Sequence, residues 1–318
     1  MIERIGLVVV TLLVSIGTAV PAQEPPPDAA GEPAWVMYRR GLHLLDERDL
    51  GTALREFRRA LSARRPFPEA EAGIGRVFRG ENNYSLAERQ YERALEQADS
   101  FYVAETEYSV RYELADLYRL QSEWMRYQEE LRAVAERNPQ FSSDHDPPYR
   151  TLVPGVLTRA PLEDRPPEPR LDILLTLYRL EENFAYRAHR DLGEQYLANQ
   201  RYDAAIPHLS FAVVAALSTL VEELRRDIYG YEFETTQGLI SDALAVERLR
   251  AYIEDTELFR ALFRLSGALY GFDGAGSPGG VPVEIWELLQ AFPGAGGEWA
   301  LRAERAMSRP RTALNVDY

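Results

Sequence analysis

Residues 41–61 read GLHLLDERDLGTALREFRRAL, and residues 75–95 read GRVFRGENNYSLAERQYERAL. The two stretches lie 34 positions apart and share an opening glycine, a central alanine, an aromatic residue and a closing Ala-Leu. A period in the mid-thirties is typical of helical hairpins that stack side by side. The sequence therefore predicts an all-α fold, since neither helix of such a hairpin can bury its apolar side alone.

The first unit, residues 34–67, shows how such a hairpin closes. Gly41 belongs to the first helix, where the missing side chain lets the second helix approach closely. Arg48 and Asp49 form a polar turn, after which Ala53 and Phe57 follow at helical spacing on one side of the second helix. Small residues at the crossing and one aromatic ring beside them are a packing solution for two antiparallel helices.

Three further units follow the same pattern, at residues 68–101, 108–141 and 186–219. The third unit departs from the pattern at Tyr127, where alanine is expected, and at Val134. We expect a shifted helix crossing there. A degenerate fifth unit is expected near Gly267 and Tyr270.

These units resemble the tetratricopeptide repeat family. That family places Gly or Ala at the eighth position, an aromatic residue at the eleventh, Ala at the twentieth, an aromatic residue at the twenty-fourth and Ala at the twenty-seventh. The matching residues are Gly41, Ala53, Phe57 and Ala60, then Gly75, Phe78, Ala87, Tyr91 and Ala94, and later Gly193, Tyr196, Ala205 and Ala212. The resemblance implies an α-solenoid whose residues at these positions form core, and a role in holding other molecules.

The amino terminus is interpreted as an export signal over residues 1–22. Arg4 precedes a short apolar run, and Val20-Pro21-Ala22 supplies small residues suited to cleavage before Gln23. The alternative is an uncleaved membrane anchor, because Glu3 weakens the positive start. With no cysteine in the chain, there is no disulfide framework and no lipid-accepting cysteine. The interpretation predicts a periplasmic or otherwise extracytoplasmic soluble protein.

The charge balance restricts the partners. The formal net charge is −14, so the chain is a poor candidate for binding nucleic acid or anionic lipid. We therefore expect a protein or peptide partner, with membrane contact only if the signal stays uncleaved. The oligomeric state is left open.

Composition divides the rest of the chain. The predicted segments are a Pro-rich leader at 23–33, repeats at 34–141, a Pro-rich strap at 142–170, a helical region at 171–270 and a Gly-rich loop with capping helices at 271–318. One long helix is expected from Tyr202 to Tyr229, short helices near 283–291 and 297–307, and a frayed end at 308–318. The strap is expected to lie against the stacked helices. Alternatively, it breaks the stack between units three and four.

No pattern in the sequence indicates catalysis, a cofactor or a metal. The string from Gly274 to Gly279 matches Gly-x-Gly-x-x-Gly, but a helix precedes it and Pro278 lies inside it, so a loop is favoured over a dinucleotide site. Asp144, His145 and Asp146 are neighbours that seldom converge on one ion, and a solvated turn is favoured. No His-Glu-x-x-His string or nucleophile elbow occurs. We interpret the chain as non-enzymatic.

The resemblance also implies which residues face a concave groove. These are Trp35, Tyr38, Arg76, Arg79, Tyr112, Arg119, Arg187 and Arg190. Arginine binds carboxylates through two parallel hydrogen bonds, and aromatic rings offer rigid contact area. The hypothesis is a groove for an acidic peptide or a terminal carboxylate. The alternative is that these arginines pair with Asp116, Glu194 and neighbouring acids.

The sequence thus favours an exported scaffold that holds another envelope protein or peptide. One rival is a cell-wall protein that binds or processes glycans on a helical superhelix. Another is a scaffold tethered to the membrane by its first helix.

Overall fold

The computed structural model describes residues 31–136, 184–273 and 280–316, and within them it is all-α, with no strand. The thirteen α-helices of this part of the chain are α1 (Ala34–Asp46), α2 (Leu50–Ala63), α3 (Pro68–Gly80), α4 (Tyr84–Leu95), α5 (Thr106–Leu120), α6 (Trp124–Ala135), α7 (Tyr186–Ala198), α8 (Tyr202–Asp227), α9 (Thr236–Leu244), α10 (Glu247–Asp255), α11 (Leu258–Phe272), α12 (Val281–Gln290) and α13 (Glu298–Ser308). The predicted fold class is confirmed at this level, and consecutive helices pack as pairs.

Four hairpins, α1/α2, α3/α4, α5/α6 and α7/α8, close with the same turn. In each, the residue at the fifteenth position of its unit takes the left-handed backbone conformation: Arg48, Asn82, Ser122 and Gln200, with φ of 62°, 59°, 60° and 57°. The next N–H donates back across the helix end, as Asp49 N does to Leu44 O at 2.9 Å. This is the Schellman arrangement, which satisfies the last carbonyls of a helix. The sequence period is therefore repeated in the backbone itself.

Glycine at the crossing is required by close packing. A Cβ added at Gly41 would lie 2.6 Å from the Phe57 ring, and one added at Gly75 would lie 2.7 Å from the Tyr91 ring. Both rings are fully buried. The predicted pairing of a small residue with a ring is confirmed, and in the fourth hairpin Leu209 takes the ring's place against Gly193.

Helix α8 is the core of the C-terminal half. It was predicted to end near Tyr229 and ends at Asp227. Its length and apolar composition would allow it to cross a membrane, but 78% of that apolar window is buried among other helices. A helix that is apolar all round is typical of a protein interior as well as of a membrane span. Here α8 packs against α7 and α11.

The predicted short helices are confirmed as α12 and α13, but the predicted frayed end is wrong as far as residue 316. Pro310–Leu314 forms a 3-10 helix against α11. Ala313 is fully buried, and its carbonyl oxygen lies where a side chain on Gly267 would stand. The buried guanidinium of Arg264 donates to Asn315 O at 2.6 Å. These contacts hold the terminal segment in place.

The third and fourth hairpins are in direct contact. Helix α6 packs on α7, and one apolar cluster contains residues of both hairpins. The Tyr127 hydroxyl donates to Asp191 Oδ2 at 3.1 Å, and Ala188 N donates to the Tyr112 hydroxyl oxygen at 3.1 Å. The intervening strap therefore does not break the packing between these units. The strap, the signal segment and most of the leader lie outside the described residues.

Candidate functional site

The sequence-predicted groove residues fall into separate places. Tyr38 and Arg76 belong to one closed cluster: the Tyr38 ring packs against Phe57 and Phe67, and Arg76 pairs with Glu113 at 2.8 Å. Burial alone would lower the pKa of Arg76, but the Glu113 carboxylate raises it above its usual value. The cation of this part of the predicted groove, Arg76, is therefore already paired with a carboxylate of the protein.

Two other predicted residues, Trp35 and Arg79, are half-buried. Within the described chain, Arg79 makes no ion pair. Neither residue lines the cavity described below.

The remaining predicted residues come together where the third and fourth hairpins meet. The Arg187 guanidinium lies 4.9 Å from the centre of the Tyr112 ring and pairs with Asp116 at 2.5 Å. Arg190 pairs with Asp191 at 2.9 Å, and Arg119 pairs with Asp116 at a looser 3.5 Å. The alternative that the arginines find acidic partners therefore holds for these three.

These pairs are part of one chain of alternating charges, which we call the ion-pair chain. Its nine members in order are Arg119, Asp116, Arg187, Asp191, Arg190, Glu257, Arg260, Glu194 and Arg264. It links α5, α7 and the start of α11, so it connects the repeats to the C-terminal helices. Within the described residues it consists of five guanidiniums and four carboxylates that alternate in sign.

Exposure varies along the ion-pair chain and is largest at Arg119. The side chain of Arg119 is 54% exposed at one end, that of Arg190 is 8% exposed in the middle, and that of Arg264 is 2% exposed at the other end. Burial would lower the pKa of Arg190, but the Asp191 and Glu257 carboxylates raise it above its usual value. Arg119 is the most exposed member and therefore the one best able to meet a charge from outside.

A cavity of about 480 Å³ lies against this chain. Seven of the nine members line it, and only Asp116 and Arg264 do not. The other lining residues are Leu120, Trp124, Tyr127 and Gln195. The volume falls in the range of sites for small molecules or single side chains.

Tyr127 lines the cavity at a repeat position where the other hairpins have alanine. The same repeat position holds Ala53, Ala87 and Ala205 in the other hairpins, all of them fully buried. In the third hairpin a ring occupies it, lines the cavity and reaches Asp191 on α7. Burial first and the Asp191 charge second raise the pKa of Tyr127, so it stays a neutral donor. The departure noticed in the sequence thus coincides with the cavity.

Gln195 is an unusual member of the lining. It is 5% exposed, and neither its amide nitrogen nor its amide oxygen has a hydrogen-bond partner in the described part of the chain. A buried donor or acceptor left unpaired costs about 1–3 kcal/mol. Both amide atoms are shielded from solvent, so the unpaired amide is a local cost to stability and is not presented to the cavity.

Large apolar residues surround the cavity mouth at the turn between α5 and α6. Leu120 is 55% exposed, Trp124 is 43% exposed and Met125, next to the lining, is 67% exposed. We call these three the mouth patch. Together with the half-exposed Arg119, they form a surface with both apolar area and a positive charge.

Sequence reasoning missed four of the nine charged residues, one of which is Asp191 on α7. Glu257, Arg260 and Arg264 lie on α11 or at its N-cap, outside the recognised repeats, so the repeat positions gave no reason to select them. The available signal was the Tyr127 departure, which marks the junction at which α11 also arrives. The two motifs at residues 144–146 and 274–279 lie outside the described residues. Within those residues no cluster of His, Asp and Glu suits a metal ion.

Comparison with known proteins adds a relative but no function. No family model matches the chain. An uncharacterized protein of Treponema pallidum (strain Nichols) is 24% identical over 204 residues, which is 64% of this chain. The chain spans about half the length of that relative, since the match covers 53% of it.

Proposed function

We propose that this chain is a non-enzymatic, exported helical scaffold of tetratricopeptide-like repeats, arranged as an α-solenoid, that holds a segment of another envelope protein at the mouth patch and Arg119. The observation that supports this most is the exposure of Leu120, Trp124 and Met125 beside the ion-pair chain. Aromatic residues, methionine and arginine are enriched at protein interfaces.

The ion pairs of the groove arginines restrict the sequence expected of the partner segment. Arg76, Arg187 and Arg190 each have a carboxylate within 3.0 Å, whereas the Arg119 pair is longer and its side chain is mostly exposed. One acidic residue of the partner can therefore add to Arg119 without breaking a buried pair. An apolar residue next to it would cover the mouth patch. The proposal is a segment with one acid beside an aliphatic or aromatic residue, rather than a highly acidic tail.

Site-specific crosslinking tests the location. A photoreactive amino acid at Met125 is compared with one at Met307, which is also exposed but lies on α13. We expect one envelope protein to crosslink from position 125 and not from position 307. Equal capture from both positions would contradict a docking site at the mouth.

The affinity of the purified partner for variants of this chain then tests whether Arg119 takes part in binding. Arg119→Glu should weaken binding of the purified partner at least about tenfold, because it places like charges together and leaves Asp116 with one cation fewer. Arg305→Glu, an exposed change on α13, is the matched control and should leave affinity unchanged. If both variants bind like the unmodified protein, Arg119 has no part in docking.

A further inference from the structure

We propose that the first hairpin binds an anionic lipid surface through one face of α2, a partner beyond the protein segment proposed for the mouth patch. The net charge of −14 disfavours anionic lipid for the chain as a whole, but the charge is unevenly distributed. Residues 34–65 contain eight arginines and four acidic residues, a net charge of +4, so the rest of the chain carries −18. The first hairpin therefore has the opposite sign to the remainder of the molecule.

Three arginines lie along the solvent side of α2. Arg55 and Arg58 are three positions apart and Arg65 follows seven positions later, with Ser62 between them, and these spacings place all four on one side of the helix. All four are exposed. Arg65 stands just beyond the helix end, where its Nε donates to Leu61 O at 3.3 Å. We call the three arginines the arginine face.

The charges of the arginine face are not compensated by acidic side chains of the described residues. The nearby carboxylates of Glu32 and Glu56 pair instead with Arg40 and Arg59. Within the described ranges, none of the three arginines of the face forms an ion pair. They differ in this respect from the groove arginines, whose guanidiniums pair with carboxylates of the protein. The arginine face therefore presents its positive charge to the outside.

The composition of this face favours a lipid surface over a protein. Protein interfaces have an aromatic or aliphatic centre from which charged residues are depleted. The arginine face consists of guanidiniums and the Ser62 hydroxyl, whereas a bilayer with anionic headgroups attracts clustered arginines through charge alone. From Arg55 to Arg65 the face extends about 15 Å along one straight helix. A flat surface can therefore meet all three arginines at once.

Screening limits the repulsion that the acidic remainder of the chain exerts. At physiological ionic strength, exposed charges more than about 8 Å apart are largely screened. Packed helix axes lie about 8–10 Å apart, and α2 packs against α1 and α3. A surface that touches the arginine face therefore interacts mainly with α2 and its neighbours. The acidic charge of the other helices disfavours other orientations.

The place of the first hairpin in the chain supports the same partner. The apolar run at residues 5–20 ends fourteen residues before α1 begins. Whether this run acts as an export signal or as an anchor, it brings the first hairpin close to a bilayer before any later hairpin. The arginine face is thus carried to the surface that its charge fits.

Partition of the full chain into lipid vesicles tests the inference. One set of vesicles is pure phosphatidylcholine, and the other contains phosphatidylglycerol as well. The measured quantity is the ratio of the two partition coefficients, because insertion of the apolar residues 5–20 contributes to both. We expect a preference for the anionic vesicles that decreases as salt is added. Equal partition into both sets at low salt overturns the inference.

Two matched triple variants assign the preference to the arginine face. Glutamine at all three positions of the face should reduce the ratio at least about tenfold, because it removes the charges that attract the headgroups. The control makes the same change of charge at exposed arginines near the other end of the described chain: Arg305→Gln, Arg309→Gln and Arg311→Gln. The control should keep the ratio of the unmodified protein. Equal losses in both variants would show an effect of net charge alone and defeat the proposal.

Two further measurements separate this inference from protein binding. Soluble polyglutamate, added at the same concentration of negative charge as the vesicles, should not displace the chain from them. Displacement would assign the arginine face to an acidic polypeptide and overturn the inference. The glutamine variant of the face should also keep the crosslinking from position 125, since the mouth patch lies on the third hairpin. Loss of that crosslinking would mean that the arginine face binds the protein partner, which also contradicts the inference.

Discussion

The second and third hairpins have the same turn and nearly the same length but differ in what they leave open. In the second, Ala87 lies at the crossing and the Tyr91 ring fills the space beside Gly75. In the third, Tyr127 takes the place of that alanine, and a cavity lies beside it. The difference teaches that the departure from the repeat, rather than the repeat, indicates where this molecule has room for a ligand.

The arginines of the two hairpins differ in the same way. Arg76 of the second hairpin forms a single pair with Glu113. Arg119 of the third begins the ion-pair chain that continues into α11. A compensated local pair stabilises a helix contact, whereas the loosely paired and half-exposed Arg119 at the end of the ion-pair chain can also attract a ligand.

The largest expected effect is on the free energy of unfolding. It compares Phe57, whose ring fills a helix crossing, with Tyr127, whose ring lines the cavity. Phe57→Ala in the first hairpin should lower the free energy of unfolding by about 3–5 kcal/mol, because its fully buried ring fills the space between Gly41 and Gly73. Tyr127→Ala should cost clearly less, since its ring already borders open space and alanine suits this position elsewhere. Urea denaturation measures both. A larger cost for Tyr127→Ala would show that the third crossing is packed like the first.

The next effect compares a buried carboxylate of the ion-pair chain with the carboxylate of a separate, exposed ion pair. Glu194→Gln should lower the free energy of unfolding by about 3 kcal/mol, because it leaves the buried Arg264 and the neighbouring Arg260 without their shared carboxylate. Glu298→Gln, which breaks an exposed pair with Arg302, should cost less than about 1 kcal/mol. Equal losses in urea denaturation would mean that the ion-pair chain contributes no more than surface pairs.

A pH effect distinguishes the fourth hairpin from the first. His189 is fully buried and His208 half-buried between α7 and α8, with their Nδ1 atoms 2.9 Å apart. Burial, and then the neighbouring imidazole, lowers the pKa of His189 well below its usual value. Burial, and then Arg132, lowers the pKa of His208 to about 4. Below pH 6.5 the unfolded chain therefore binds more protons than the folded chain, and stability falls as pH falls towards 4.

The expected slope is about 1.4 kcal/mol per pH unit for each imidazole within that window. His208→Gln should flatten the dependence measured by denaturation between pH 6.5 and 4. The matched control is His43→Gln, which replaces an exposed imidazole on α1 outside the buried pair. An unaltered slope in His208→Gln would mean that the pair does not titrate on unfolding.

Hairpin packing could be predicted from the sequence because it depends on the spacing of residues within one repeat. Gly41, Gly75 and Gly193 stand at a fixed repeat position, and each is required by a close contact that the spacing already implies. The limits of α8, α12 and α13 were also predicted to within a few residues. Apolar periodicity and breaker residues act within one element, so they can be read along the chain.

The cavity could not be predicted from the sequence in the same way. The ion-pair chain joins Asp116, Arg190 and Glu257, which are far apart in sequence and meet only through tertiary packing. Repeat positions selected Arg119, Arg187 and Arg190, together with Asp116, which pairs with two of them, but they gave no reason to select Glu257. The docked end at Pro310–Leu314 was missed for a similar reason, since Arg264 and Gly267 that hold it belong to a distant helix.

The smallest effect tests whether the hairpin turns are equivalent. Ser122 and Arg48 both hold the left-handed conformation, which is unfavourable for residues with a Cβ by about 1–2 kcal/mol. Ser122→Gly and Arg48→Gly should each raise the free energy of unfolding by about 0.5–1 kcal/mol. The gain is smaller than the strain because glycine also loses more entropy on folding. Ser122→Ala keeps the Cβ, so in the same denaturation measurement it should give no gain. If glycine stabilises one turn and destabilises the other, the two hairpins differ in their turns as well as in their crossings.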